Sequence, residues 1–293
     1  LLTATIWGMA FVSQSKGMDY MHPFTFNGVR SLIGAAGILV YILISRKIAG
    51  DKAAKLDWKL NVRAGLLCGI FLTIASTLQQ FGIKYTSVGK AGFITTLYII
   101  FVPMFGVFLK KKVAPVVWAA AGMAAVGMYL LCMTESLRLG AGDIMVFLCA
   151  IAFAIQIMTV DHYAARIDGA VVSCIQFTVC GVVCCIGALI WGQPTFGQIQ
   201  EGLGALLYAG VLSCGVGYTL QIVGQKGLNP TVAALIMSLE SVIATISGWI
   251  AYKIGFLSTD QTLTPRQIAG CVIVFAAVIL VQLPPEWFRF GKK

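Results

Sequence analysis

The chain has 293 residues, 59% of them hydrophobic and only 11% charged, with a formal net charge of +10. Soluble proteins run at roughly 45–50% and about 25% on those two measures, so a soluble enzyme or soluble binding domain is excluded. The positive charge does not point to nucleic acid, because it forms no compact basic domain with interleaved aromatics; contact with anionic lipid head groups accounts for it.

A hydrocarbon layer of about 30 Å needs about 20 mainly apolar residues per spanning helix. On that rule ten spans are expected, at 1–18, 24–45, 62–83, 87–109, 115–132, 143–160, 170–191, 203–222, 231–252 and 267–283. The runs are continuous and do not alternate with period two, which selects helices over a barrel. The length of the first span and its Trp7-Gly8 interior argue against a cleaved signal peptide. Pro23, Pro115, Pro230 and Pro265 fall at expected helix starts, where a missing N–H costs nothing, and Asn229 is placed to cap the ninth span. Pro103 lies inside the fourth span and is expected to kink it. Nearly all nine cysteines fall within apolar runs, without a CxxC pair or a zinc-like spacing, so they read as small apolar filler and neither metal nor cofactor is expected.

Lysine and arginine set the expected orientation. With a cytoplasmic N-terminus, the inner segments hold Arg46, Lys47, Lys52, Lys55, Lys59, Arg63, Lys110, Lys111, Lys112, Arg166, Lys226, Arg289, Lys292 and Lys293. The outer segments hold only Lys16, Lys84, Lys90, Arg138, Lys253 and Arg266. That bias favours both termini in the cytoplasm, and the expected location is the cytoplasmic (inner) membrane.

Shifting the chain by 142 residues aligns "LQQFGIKYTSVGKAGFITTLYIIFVPMFG" (78–106) with "LQIVGQKGLNPTVAALIMSLESVIATISG" (220–248). A shift of 146 lays Trp7-Gly8 on Phe153-Ala154 and Arg30 on Gln176. Each copy then holds five spans, and an odd number forces the second copy into the membrane upside down. Such inverted repeats suit alternating access around a site near the midplane.

The stretches "IWGMAFVSQSKGMDYMHPFTFNGVRSLIGA" (6–35), "GKAGFITTLYIIFVPMFG" (89–106), "GDIMVFLCAIAFAIQI" (142–157) and "NPTVAALIMSLESVIATISGWI" (229–250) resemble the two EamA repeats of the drug/metabolite transporter superfamily. The resemblance covers nearly the whole chain and implies an all-α membrane protein with ten transmembrane helices in two inverted five-helix repeats, 1–134 and 142–284. It also implies secondary active transport, usually export. The chain departs from the pattern at the end of the ninth span, where Tyr252-Lys253 replaces the family's frequent Gly-Glu.

The polar residues within the spans carry the remaining information. Glu240 lies about ten residues, roughly 15 Å, from the inner end of its helix, at the midplane. Holding a charge at a helix centre costs about 2.5–3.5 kcal/mol, and keeping an ordinary carboxyl protonated at pH 7 costs about 3.7 kcal/mol. The two nearly balance, so Glu240 is the candidate for proton coupling; the alternative is a permanent structural partner. Arg30 lies roughly 9 Å below the outer surface, close enough in depth for an ion pair with Glu240. Trp7, Tyr98, Gln156, Gln176, Tyr218 and Ser238 are near-central and form a second tier of cavity candidates, with interhelical hydrogen bonding as the alternative. Gln79, Gln80 and Gln221 are candidates for gate ends.

The expected partners are a small-molecule solute and the lipid bilayer. HExxH, GxSxG and GxxxxGK motifs are absent, and His22 and His162 fall on opposite sides, so an enzyme is not expected. The preferred reading is a carrier exporting small polar metabolites, amino acids or related compounds. A lipid flippase, or a non-transporting membrane scaffold, remains the alternative with the same fold.

Overall fold

The computed structural model describes residues 1–50, 56–86, 88–110, 113–132, 140–257 and 262–282. Lys52, Lys55, Lys111, Lys112, Arg138, Arg289, Lys292 and Lys293, used in the charge count, lie outside the described residues, as does residue 283 of the tenth span. All regular structure among the described residues is helical: α1 (Leu2–Gly17), α2 (Pro23–Ala49), α3 (Trp58–Tyr85), α4 (Val88–Thr96), α5 (Tyr98–Phe108), α6 (Pro115–Cys132), α7 (Ala141–Ala164), α8 (Gly169–Gly187), α9 (Phe196–Glu201), α10 (Leu203–Leu207), α11 (Tyr218–Gln225), α12 (Pro230–Met237), α13 (Leu239–Lys253) and α14 (Pro265–Gln282). Two π-helical stretches, Ala188–Gly192 and Tyr208–Gly217, continue α8 and join α10 to α11.

Each expected span is mainly helical over its described residues. Among the described residues seven segments are long and apolar enough to cross a membrane: Pro23–Ala49, Trp58–Tyr85, Lys90–Phe108, Ala141–Ala164, Gly169–Gly192, Leu203–Gln225 and Pro230–Lys253. The other three expected spans are the shorter helices α1, α6 and α14, of 16, 18 and 18 residues. The radial arrangement is that of a membrane protein. Leu39, Leu43, Val182, Val183 and Ile186 face outward, whereas Asn27, Arg30, Gln80, Gln156, Gln176 and Glu240 are buried. Water would punish that distribution and hydrocarbon rewards it.

Local chemistry fixes the helix ends. The four prolines each stand at the first position of their helix. Asn229 Oδ1 accepts from Thr231 N–H at 2.9 Å, as its sequence position leads one to expect, and Asp168 Oδ1 accepts from Ala170 and Val171 N–H at 3.0 and 3.1 Å.

The fourth span bends at Leu97, six residues before Pro103, which sits inside α5. Proline crowds the carbonyl four residues before it, and the Thr96 hydroxyl donates back to the Gly92 and Phe93 carbonyls at 3.0 and 2.9 Å, so the ladder yields upstream of the ring. The ninth span breaks at Ser238 without any proline. There Ser238, Ser241 and Thr245 hydroxyls donate to the carbonyls of Leu235, Ser238 and Ser241 at 2.7–2.9 Å, the kind of back-bonding that bends helices.

Helix α2 packs on α8 and α6 on α14; α3 lies along α7 and α8, and α1 lies along α13 and the 208–217 stretch. Gly65 and Gly69, four residues apart on one face of α3, meet Ile175 and Val179 and so make the α3–α8 contact close. Near the starts of α4 and α7, Lys90 Nζ meets Asp143 Oδ2 at 2.5 Å; Asp143 also accepts from Thr86 Oγ1 at 2.7 Å and from Gly140 N–H at 2.8 Å.

Candidate functional site

The cavity at the centre of the bundle is bounded by α1, α2, α3, the α4–α5 bend, α7, α8, the 208–217 stretch, α11 and α13. It holds about 40 Å³. That is space for about three or four waters at about 10–15 Å³ each, far below the roughly 300–1,000 Å³ of an open small-molecule site.

Helix packing positions the first wall. Gly8 lets α1 close on α13: a Cβ there would stand 2.7 Å from the Glu240 carbonyl oxygen and 2.6 Å from Ile243 Cβ. Trp7 is thereby turned across the bundle. Its Nε1–H donates to the Ser213 carbonyl at 3.4 Å, and its ring lies 4.5 Å from that of Tyr218, which in turn meets Phe177 edge-on at 5.0 Å. Gly217 makes room for the indole, since a Cβ at that position would lie 2.6 Å from Nε1. The Ser213 carbonyl lies in the π-helical stretch and accepts from Tyr218 N–H as well as from Trp7, and such stretches recur at functional sites.

Two charges face this cavity. Glu240, 4% exposed, accepts the Tyr98 hydroxyl on Oε1 at 3.0 Å; its Oε2 has no hydrogen bond among the described residues. Arg30, 5% exposed, holds its guanidinium over the Phe26 ring at 5.3 Å, and its Nε has no protein acceptor. The expected Arg30–Glu240 ion pair is not formed: the two line the same cavity without coming within ion-pair distance. Arg30 projects from α2 and Glu240 from α13, and similar depth along the chain's spans does not by itself bring two side chains together.

The second tier divides. Trp7, Tyr98, Gln156 and Tyr218 line the cavity. Gln176 stands one layer behind, its Oε1 accepting from Gln156 Nε2 at 3.5 Å, and Gln156 Oε1 accepts from Gln221 Nε2 at 3.2 Å. Ser238 does not reach the cavity; its hydroxyl is spent on the Leu235 carbonyl. Gln79 and Gln221, read as gate ends, line the cavity instead, with Gln79 Nε2 donating to Thr95 Oγ1 at 3.2 Å. Gln14, Ser31, Ser76, Thr95 and Ser213 line it as well and were not singled out from sequence.

The repeat offsets would have found some of these. Of the twenty lining residues, sixteen form eight pairs at those offsets. At 146 they are Trp7 with Phe153, Ala10 with Gln156, Phe11 with Ile157 and Ser31 with Phe177. At 142 they are Leu72 with Cys214, Ser76 with Tyr218, Gln79 with Gln221 and Tyr98 with Glu240. The frame of the cavity repeats between the halves, whereas its charges do not: Arg30 answers to Gln176 and Glu240 to Tyr98.

The EamA-like transporter family model matches residues 1–133 and 140–283. An uncharacterized transporter of Archaeoglobus fulgidus is 27% identical over 288 residues, covering 96% of this chain and 84% of its own length. The uncharacterized transporter YwfM of Bacillus subtilis is 24% identical over 291 residues, covering 98% and 93%. A solved crystal structure with 16% identity superposes with a TM-score of 0.71 over 98% of this chain and 99% of that one, which extends the likeness to the fold. With a family match over nearly its full length, the chain belongs to the EamA-like transporter family and is a membrane transporter, not an enzyme.

Proposed function

We propose that the protein is a secondary carrier that exports small polar metabolites, amino acids or related compounds, across the cytoplasmic membrane by alternating access. Ten spans in two inverted five-helix repeats form the machine, with both termini cytoplasmic and Glu240 as the proton-coupling group. The observation that carries this reading is the pairing of lining residues at the repeat offsets around one nearly closed central cavity. Two like halves enclosing a shared site can exchange conformations, opening first to one side and then to the other.

Packing supports the same exchange. Between the halves, the α3–α7 contact answers to the contact of α1 with the 208–217 stretch, and the α1–α13 contact answers to that of α7 with α4 and α5. A volume of about 40 Å³ admits no metabolite, so the halves must move for loading and release.

The test is solute movement in proteoliposomes under an imposed pH gradient, beside an untargeted comparison of metabolites in the medium and cytoplasm of cells with and without the protein. Gradient-driven export that is abolished by Glu240→Gln is the expected result. Transport with unchanged pH dependence in that variant removes Glu240 from coupling, and movement of labelled lipid alone overturns the small-solute reading.

A further inference from the structure

We propose that Arg30 is the specificity-determining residue of the cavity, holding the carboxylate of the solute while Glu240 faces its ammonium group. This rests on the carrier reading above and names the chemistry its site selects.

The argument begins with the separation of the two charges. Arginine stays ionised at any physiological pH, and burying it unpaired in a spanning helix costs several kcal/mol. An interior arginine is therefore expected to be answered by an anion. Glu240, the one carboxylate lining the cavity, does not answer it. Phe26 covers one face of the guanidinium, but an aromatic face leaves the in-plane N–H donors unmet, and Nε has no protein acceptor. Those donors suit a planar oxyanion, which arginine binds with two parallel hydrogen bonds.

On the other charge, Tyr98 occupies one oxygen of Glu240 and leaves the second free. Glu240 is thus held in place and still able to accept from a donor in the cavity. The cavity they share is walled by Trp7, Phe153, Phe177 and Tyr218. A solute carrying one negative and one positive group leaves each protein charge matched and the cavity neutral. A phosphate ester, with about −1.5 to −2 charge, exceeds the single arginine, and an amine without a carboxylate leaves Arg30 unanswered. Because the ammonium group and a proton would seek the same carboxylate, solute binding and coupling meet at Glu240.

The experiment uses the purified full chain, with binding read from thermal stability and transport from efflux in proteoliposomes. The probes are L-alanine and L-leucine, L-alanine methyl ester, which lacks the carboxylate, propionate, which lacks the ammonium group, and labelled phospholipid. Wild-type protein is expected to bind and move the zwitterions and to favour them over both truncated probes. Arg30→Gln should weaken the zwitterions about 10- to 100-fold, the loss of one charge-assisted anchor, while changing the methyl ester far less; Arg30→Lys should recover part of the affinity. Glu240→Gln should shift preference from alanine toward propionate, and this variant decides the matter if Arg30→Gln does not fold. Equal handling of alanine and its methyl ester, or zwitterion affinity unchanged in Arg30→Gln, overturns the assignment while leaving a working carrier. If phospholipid alone moves, both the assignment and the carrier reading fall.

Discussion

Tyr98 donates its phenolic hydrogen to Glu240 Oε1 at 3.0 Å, and the two residues stand 142 positions apart, the offset that aligns the two halves of the chain. Residues that correspond between halves touch each other only if both lie beside the axis relating those halves. On the inverted-repeat reading the bond therefore marks the centre of the machine. Tyr98→Phe removes the donor and leaves a buried carboxylate short of a partner. Hydrogen bonds to charged groups contribute about 1.5–3 kcal/mol, so that is the expected loss of stability. In a Glu240→Gln background the acceptor is neutral and the cost of Tyr98→Phe should fall to about half. Denaturation of the four proteins in detergent measures this coupling; equal costs in both backgrounds would show that the bond is not charge-assisted.

Gly8 carries the approach of α1 to α13. Adding a methyl group would place a Cβ 2.7 Å from the Glu240 carbonyl oxygen and 2.6 Å from Ile243 Cβ. Backbone cannot swing aside as the end of a flexible side chain can, so Gly8→Ala must separate the two helices, at about 1–3 kcal/mol for an overpacked contact. Gly122 in α6 is the control, because a Cβ there meets nothing within 4 Å. Gly122→Ala should be stabilising by about 0.5–1 kcal/mol through helix propensity alone. Melting temperatures of the two variants are expected to move in opposite directions.

The sequence shows these features unevenly, for physical reasons. Helix starts at Pro23, Pro115, Pro230 and Pro265 are legible because proline acts on its own φ and its own missing N–H. The bends at Leu97 and Ser238 coincide with Thr96 and Ser238 hydroxyls turned onto backbone carbonyls of the preceding turn, which composition does not record. Arg30 and Glu240 were read as a pair because hydropathy gives depth along the membrane normal; it gives no position around the bundle. Glu240 instead took Tyr98, which the repeat had already set at the same depth. Ser76 was missed although it corresponds to Tyr218 at the 142 offset, so that signal was present and unused. The π-helical stretch that carries Ser213 has no comparable marker in its apolar, glycine-containing run.

Lys90 and Asp143 join the start of α4 to the start of α7, with side chains 19% and 3% exposed. At the 142 offset Lys90 falls on Val232, so the second half carries no lysine at the matching position. Under alternating access this makes one end of the molecule harder to open than the other. A pair half in and half out of water falls between the about 0–1 kcal/mol of exposed pairs and the about 3–5 kcal/mol of broken buried ones. Lys90→Gln and Asp143→Asn should each raise local opening about 5- to 150-fold, equivalent to about 1–3 kcal/mol. Amide hydrogen exchange over residues 88–96 and 141–150 reads this directly; unchanged exchange in both variants would show that the pair is not a latch.

His22 gives the fold a pH dependence of determinate sign. Its Nδ1 accepts the Phe24 N–H at 3.3 Å and so caps α2, while its ring lies 5.5 Å from that of Phe81. Burial, helped by the nearby Lys84 charge, lowers its pKa from the usual 6.5. The folded protein therefore resists a proton that the unfolded chain accepts. The contribution of His22 to stability is complete above about pH 6.5 and is lost as pH falls from there through the lowered pKa, where protonation also removes the capping lone pair. Asparagine accepts at an N-cap and does not titrate, so His22→Asn should retain the helix start and flatten this part of the profile. Melting temperatures of wild type and variant in detergent, followed from about pH 8 to about pH 5, should diverge only below about pH 6.5, with wild type falling more steeply; parallel curves would assign the acid sensitivity to other groups.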